Sequence, residues 1–112
     1  MHELSVAQSM MSVVLENAVA NNAQKINRIE LVVGGLSGVA PDSLLFYFHA
    51  LREGTIAKDA ELVVTQVPAT AHCVTCNADS SVGQYDFFCP VCNSPLTPRG
   101  GDELFVKDIE IE

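Results

Sequence analysis

The chain has no tryptophan, and aromatic residues make up only 6% of it. Any core it builds must therefore be aliphatic. Basic residues are scarce too: six Lys and Arg face fourteen Asp and Glu, for a formal net charge of −8. Nucleic acid backbones and anionic membrane surfaces are recognised through clustered positive charge, so neither is an expected partner. A cation, a basic protein surface, or plain solubility remain compatible with the acidic balance. Long apolar runs are missing, and nothing approaches the ~20 residues needed to span a bilayer. The first residues lack the basic segment of a signal peptide, and Gln8, Ser9, Ser12, Glu16 and Asn17 interrupt their apolar content. The expected location is the cytoplasm. Cysteine is absent outside one stretch, residues 73–92. In a reducing compartment, cysteine pairs point to metal or redox chemistry and away from structural disulfides.

What is present suffices for one ordinary domain or two very small ones: 112 residues, 48% of them hydrophobic. Residues 4–20 carry Leu4, Ala7, Met11, Val14, Leu15 and Ala18 at helical spacing. Ser5-Val6-Ala7-Gln8 fits a capping box, although a start near Glu3 fits equally; Asn21-Asn22 suits the stop. Residues 26–33 alternate as a strand, with Ile29, Leu31 and Val33 on one face and Arg28, Glu30 and Val32 on the other. Gly34-Gly35-Leu36-Ser37-Gly38 lacks the flanking residues of a phosphate loop and reads as a turn needing positive φ. Pro41-Asp42-Ser43 opens a second helix, with Leu44, Leu45, Phe48 and Leu51 as its buried stripe, widened by Phe46 and Tyr47. Gly54 suits its end. A β-branched strand follows at 61–67, and a last strand alternates Ile109 and Ile111 against Asp108, Glu110 and Glu112. That last strand needs a sheet to join. The expected architecture is α+β: two helices against a three-stranded mixed sheet, with a zinc-ribbon-like domain inserted. The expected units are 1–68 plus 103–112, and 69–102.

The insert holds Cys73-Val74-Thr75-Cys76 and Cys89-Pro90-Val91-Cys92. Two residues between cysteines let the backbone turn both sulfurs toward one point. Asn77 and Asn93 follow the pairs, where positive φ is often required and Asn tolerates it. Four thiolates select zinc or iron, and a closed shell of four protein ligands suits structural zinc. A rubredoxin-like iron site and a dithiol redox pair are the competing readings, the latter without its usual βαβ context. His72 abuts Cys73, either as a residue tuning the site or as a solvated histidine. The largely polar insert cannot bury enough surface to fold unaided, so bound metal must stabilise it.

Met1-His2-Glu3 offers a second constellation. A His at position 2 places the α-amine, its own amide nitrogen and imidazole Nδ1 in fused chelate rings. The Glu3 amide or carboxylate can supply a fourth donor. Nitrogen-rich tetragonal coordination favours Ni(II) or Cu(II). The bulk of His2 should keep Met1 in place. A helix starting at once would hold this terminus still, unlike a frayed tail.

Taken in order, Met1-His2-Glu3-Leu4-Ser5, the segment Gly35-Leu36-Ser37-Gly38-Val39-Ala40-Pro41-Asp42-Ser43-Leu44, the double CxxC, and Gly101-Asp102-Glu103-Leu104 with Ile109-Glu110-Ile111-Glu112 resemble the HypA/HybF family of hydrogenase maturation nickel chaperones. The resemblance covers essentially the whole chain. It implies a non-enzymatic metallochaperone that transports Ni2+, bound by His2 with the amine and backbone of Met1–Glu3. It assigns Cys73, Cys76, Cys89 and Cys92 to a structural Zn2+. Asp42, or Glu3, is implied as a further acidic nickel ligand. The implied partners are a hydrogenase accessory GTPase and the [NiFe] hydrogenase large subunit, or urease in some members, and the chain itself is expected as a monomer or weak homodimer. Several relatives carry His after a CxxC pair where this chain has Asn77 and Asn93. The alternative from another class is a zinc-ribbon interaction adaptor with no nickel role.

Overall fold

Residues 2–82 and 87–112 are described in a computed structural model; Met1, an expected nickel ligand, lies outside them. The first helix, α1, spans Glu3–Ala20 and settles the start at Glu3, with His2 as N-cap and no capping side chain. It buries Ala7, Met10, Met11, Val14 and Ala18. At 3.6 residues per turn the centre of that arc lies near Ala7 and Val14. Leu4, expected in the stripe, falls at its margin and is exposed, whereas Glu3 falls within it and is buried. Asn21 caps the helix end and Asn22 adopts φ 58°, as an Asn stop requires.

Strand β1 (Ile26–Gly34) is central. It pairs in parallel with β2 (Glu61–Val67) and antiparallel with β6 (Leu104–Ile111). Parallel neighbours need a crossover, and α2 (Pro41–Leu51) supplies it. Both helices cover one face of this mixed sheet, where Ile29, Leu31 and Val33 meet Met10, Met11, Val14, Leu44 and Phe48. Phe46, expected to widen the α2 stripe, is 69% exposed. Arg52 follows α2, lies 5.7 Å from the Phe48 ring and donates to the Ala60 carbonyl at 2.8 Å. Gly54 takes φ 75° just beyond.

Two irregularities in the β1–β6 register place side chains that strict alternation would misplace. Ile26 pairs with Ile111 and Ile29 with Ile109, so Ile26 joins the core face despite its even number. One residue of β6 is skipped between the Glu30–Asp108 and Leu31–Val106 pairs, which brings Val106 and Ile109 to the same side. The outer face carries Arg28 within 4.0 Å of carboxylates of Glu30, Glu61, Asp108 and Glu110.

Between β2 and β6 the chain forms a second sheet in the order β4-β3-β5, from Ala78–Ser81, Thr70–Cys73 and Thr97–Pro98. Both its pairings are antiparallel. The two sheets meet at a glycine junction. The Gly34 N–H donates to the Glu103 carbonyl at 2.7 Å, and the Leu36 N–H donates to the Gly101 carbonyl. A Cβ on Gly34 would lie 2.1 Å from that Gly101 oxygen. Gly38 supplies the positive φ expected of the 34–38 loop, at 76°, while Gly34 serves close backbone approach.

Candidate metal centres

The four cysteines arrive from two turns. The first follows β3, which ends on Cys73; the second closes where the Asn93 N–H donates to the Cys89 carbonyl at 2.8 Å. Asn77 and Asn93 take φ 51° and 62°, the conformation their position calls for. The four Sγ atoms all lie within 4.8 Å of one another, with Cys73 and Cys89 buried and Cys76 and Cys92 exposed. Tetrahedral zinc with Zn–S near 2.3 Å implies S···S of about 3.8 Å, and Cys73 and Cys92 stand 3.5 Å apart. The donor set therefore fits a tetrathiolate metal ion.

The surrounding N–H groups prepare these sulfurs for negative charge. The Cys76 N–H points at Cys73 Sγ at 3.3 Å, and the Val91 N–H at Cys89 Sγ at 3.4 Å. Hydrogen bonds from the Ser94 hydroxyl and backbone hold the Cys92 thiol down to about 6. Backbone N–H groups of Cys92 and Val91 lower Cys89 as well. Cys76 is pushed up to about 12, chiefly by its hydrogen bonds with Cys92 and Cys73, which keep its proton on sulfur. Loading a dication there must displace protons, so metal uptake is pH-dependent.

His72 is not part of the cluster. It pairs across strands with Asp79, Nδ1 to Oδ1 at 2.6 Å, in register on β3 and β4. Its neighbour in sequence, Cys73, points to the other face, as strand alternation dictates.

At the other end, His2 is exposed and its carbonyl receives the Val6 N–H at 2.9 Å, the first bond of α1. Glu3 is buried, and its Oε1 accepts the Ala40 N–H at 3.4 Å. That bond ties the start of α1 to the start of α2, since Ala40 is the α2 N-cap. The Glu3 carboxyl is held below its ordinary value, first by a hydrogen bond with the N-terminal ammonium group; partial desolvation opposes this, and its own N–H and that of Ala40 reinforce it. Asp42 is exposed in the first turn of α2. Among the described residues, only the four cysteines converge as a group of three or more metal-ligating side chains, so His2, Glu3 and Asp42 form no closed cage. A cleft of about 270 Å³ opens here, with Ser43 and Tyr47 of α2 facing His2 and Glu3. Neither residue was expected at this site. The signal available was their spacing, since positions four apart share a helix face.

Comparison with known proteins agrees with this layout. A family model described as "HypA: Hydrogenase/urease nickel incorporation, metallochaperone, hypA" matches residues 1–111. The chain is 36% identical to the hydrogenase maturation factor HypA of Caldanaerobacter subterraneus subsp. tengcongensis over the full length of both. It is 39% identical to the protein of the same name from Chlorobium limicola, covering 100% of this chain and 97% of that one. Among solved structures, the solution structure of the Ni metallochaperone HypA from Helicobacter pylori superposes with a TM-score of 0.68 at 25% identity, over 99% of this chain and 97% of that one. With a helix-covered mixed sheet, a four-cysteine cluster and a family match spanning nearly every residue, the chain belongs to the HypA family of nickel-incorporation metallochaperones.

Proposed function

We propose that this chain captures Ni(II) at its N-terminus and delivers it for maturation of the [NiFe] hydrogenase large subunit. The observation that carries the reading is the placement of His2: exposed, yet fixed as the N-cap of an 18-residue helix whose next residue is buried and bonded to α2. The first N–H groups of a helix have no intrahelical partner. The His2 and Glu3 amide nitrogens can therefore lose their protons to a metal without breaking the helix ladder. With the α-amine and His2 Nδ1 they complete a four-nitrogen plane of the kind Ni(II) favours. The Glu3 carboxylate, engaged with Ala40, acts as an anchor for this terminus more readily than as a ligand. Asp42, exposed on the adjacent helix start, is the candidate for a carboxylate that joins during transfer.

Such a site has two open faces, where a recipient's ligands can attack before the donors leave. The partners implied by the family resemblance are an accessory GTPase and the hydrogenase large subunit, in the cytoplasm; delivery to urease is the alternative the family description supports. Cys73, Cys76, Cys89 and Cys92 would hold a structural Zn2+, and residues 69–102 would form a unit distinct from 1–68 with 103–112. The zinc contributes fold stability, and the chain's own N–H groups orient and stabilise the thiolates. The test is a Ni(II) titration of untagged, zinc-loaded protein beside His2→Ala, with zinc content measured throughout. Loss of tight nickel binding at unchanged zinc supports the reading; equal nickel affinity in the two proteins sinks it.

A further inference from the structure

In the chelate just described, which this inference takes as its starting point, His2 binds through Nδ1 and its Nε2–H is left facing outward. A metal-bound imidazole whose second nitrogen lacks a partner rotates and binds less well, and such outer partners are worth about 10–100-fold in metal affinity. The cleft at the terminus names the candidates, because among the described residues α2 alone supplies its opposite wall. Ser43 and Tyr47 lie one turn apart on that helix and face His2, Glu3, Leu4 and Ser5. Glu3 is already committed to Ala40. Of the two hydroxyls, the longer Tyr47 side chain has the reach to cross a cleft, and a phenol can accept the Nε2–H bond. Its ring is held half-buried against the core, and the Phe46 ring, 69% exposed, only touches its outer edge at 5.5 Å between centroids. Alone, neither the core packing nor the cleft would single it out; together they place a held polar tip beside the metal-binding end.

We propose that Tyr47 is a positioning residue for nickel capture, accepting a hydrogen bond from His2 Nε2–H and so setting the imidazole's orientation and basicity. Tyr47 touches neither the metal nor the recipient. It converts a flexible chelating tripeptide into a site with one geometry, and it links nickel occupancy to α2.

The experiment compares wild type, Tyr47→Phe, Phe46→Ala and His2→Ala as zinc-loaded, untagged proteins. Each is titrated with Ni(II) between pH 6 and 9, following the visible absorption of planar Ni(II), with thermal unfolding measured on the same samples. Tyr47→Phe keeps the ring and removes only the hydroxyl. The expected result is nickel binding about 10–100-fold weaker, a pH midpoint for uptake moved upward, and an unchanged melting temperature without nickel. Phe46→Ala removes the ring neighbour and should leave nickel affinity unchanged. If Tyr47→Phe matches wild type in affinity and pH midpoint while His2→Ala loses binding, the positioning role is wrong and the N-terminal reading stands. If Phe46→Ala weakens nickel as much as Tyr47→Phe, packing and not the hydroxyl is responsible, and the proposal is overturned. If His2→Ala binds as wild type, the N-terminal reading fails and this role with it.

Discussion

Gly101→Ala should be among the most damaging one-carbon changes available to this chain, and Gly54→Ala supplies its control. Both glycines have positive φ, 95° and 75°. An Ala in the left-handed region costs about 1–2 kcal/mol, partly offset by about 0.4–1 kcal/mol from a stiffer unfolded chain. Around Gly54 a Cβ meets nothing within 4 Å, so Gly54→Ala should cost about 1 kcal/mol and no more. At Gly101 the same Cβ would stand 2.6 Å from Ala69 Cα and 2.8 Å from its Cβ. Neither is the end of a flexible side chain. Relief must move the backbone, disturbing the Leu36 N–H bond to the Gly101 carbonyl and the Gly101 N–H bonds to the Glu103 carboxylate at 3.0 and 3.1 Å. Overpacking of this kind adds about 1–3 kcal/mol, for a total of roughly 2–4. The assay is urea unfolding of zinc-loaded protein followed by far-UV circular dichroism, because the chain has no tryptophan to report by fluorescence. A Gly101→Ala cost no larger than that of Gly54→Ala would refute the close approach between the two sheets.

Glu30 gives a pH signature. Its carboxyl is held below the ordinary 4.5 first by the Thr65 hydroxyl, with Lys107 and Arg28 adding to this and partial desolvation opposing it. A depressed folded value means the contribution is complete above about pH 4.5 and lost as pH falls through the folded value. The melting-temperature gap between wild type and Glu30→Gln should therefore be widest near neutrality and close on acidification; a gap that widens toward acid contradicts the assignment. Cys76→Ser removes one donor of the tetrathiolate. Zinc should be lost and amide protection across β3, β4 and β5 should collapse, while α1, α2 and the first sheet stay protected in hydrogen exchange; uniform loss of protection would show one inseparable unit instead.

Where local chemistry decided the structure, the sequence was readable. The two CxxC pairs, the Asn residues after them, Pro41 at a helix start and the β-branched run at 61–67 each act within a few residues, and each stands where its chemistry places it. What escaped depends on partners distant in sequence. Leu4 and Phe46 look like core residues by type but lie outside the arcs their helices bury. Ile26 reaches the core only because of a register shift against a strand more than seventy residues away. Gly34 owes its role to Gly101, which periodicity around either residue cannot show. The N-terminal site proposed for nickel divides the same way: the chelate reading of His2 rests on its position in the sequence, whereas the nearby Ala40, Ser43 and Tyr47 are supplied by tertiary contact between two helix starts.

Blocking the α-amine tests the central claim most directly. Adding Gly-Ser before Met1 keeps His2, Glu3, Asp42 and all four cysteines but converts the amine into an amide. Calorimetric Ni(II) titration of this extended, zinc-loaded protein should show tight nickel binding abolished, with one zinc per chain and the circular dichroism spectrum unchanged. Nickel binding as tight as in the unextended chain would contradict capture at the N-terminus.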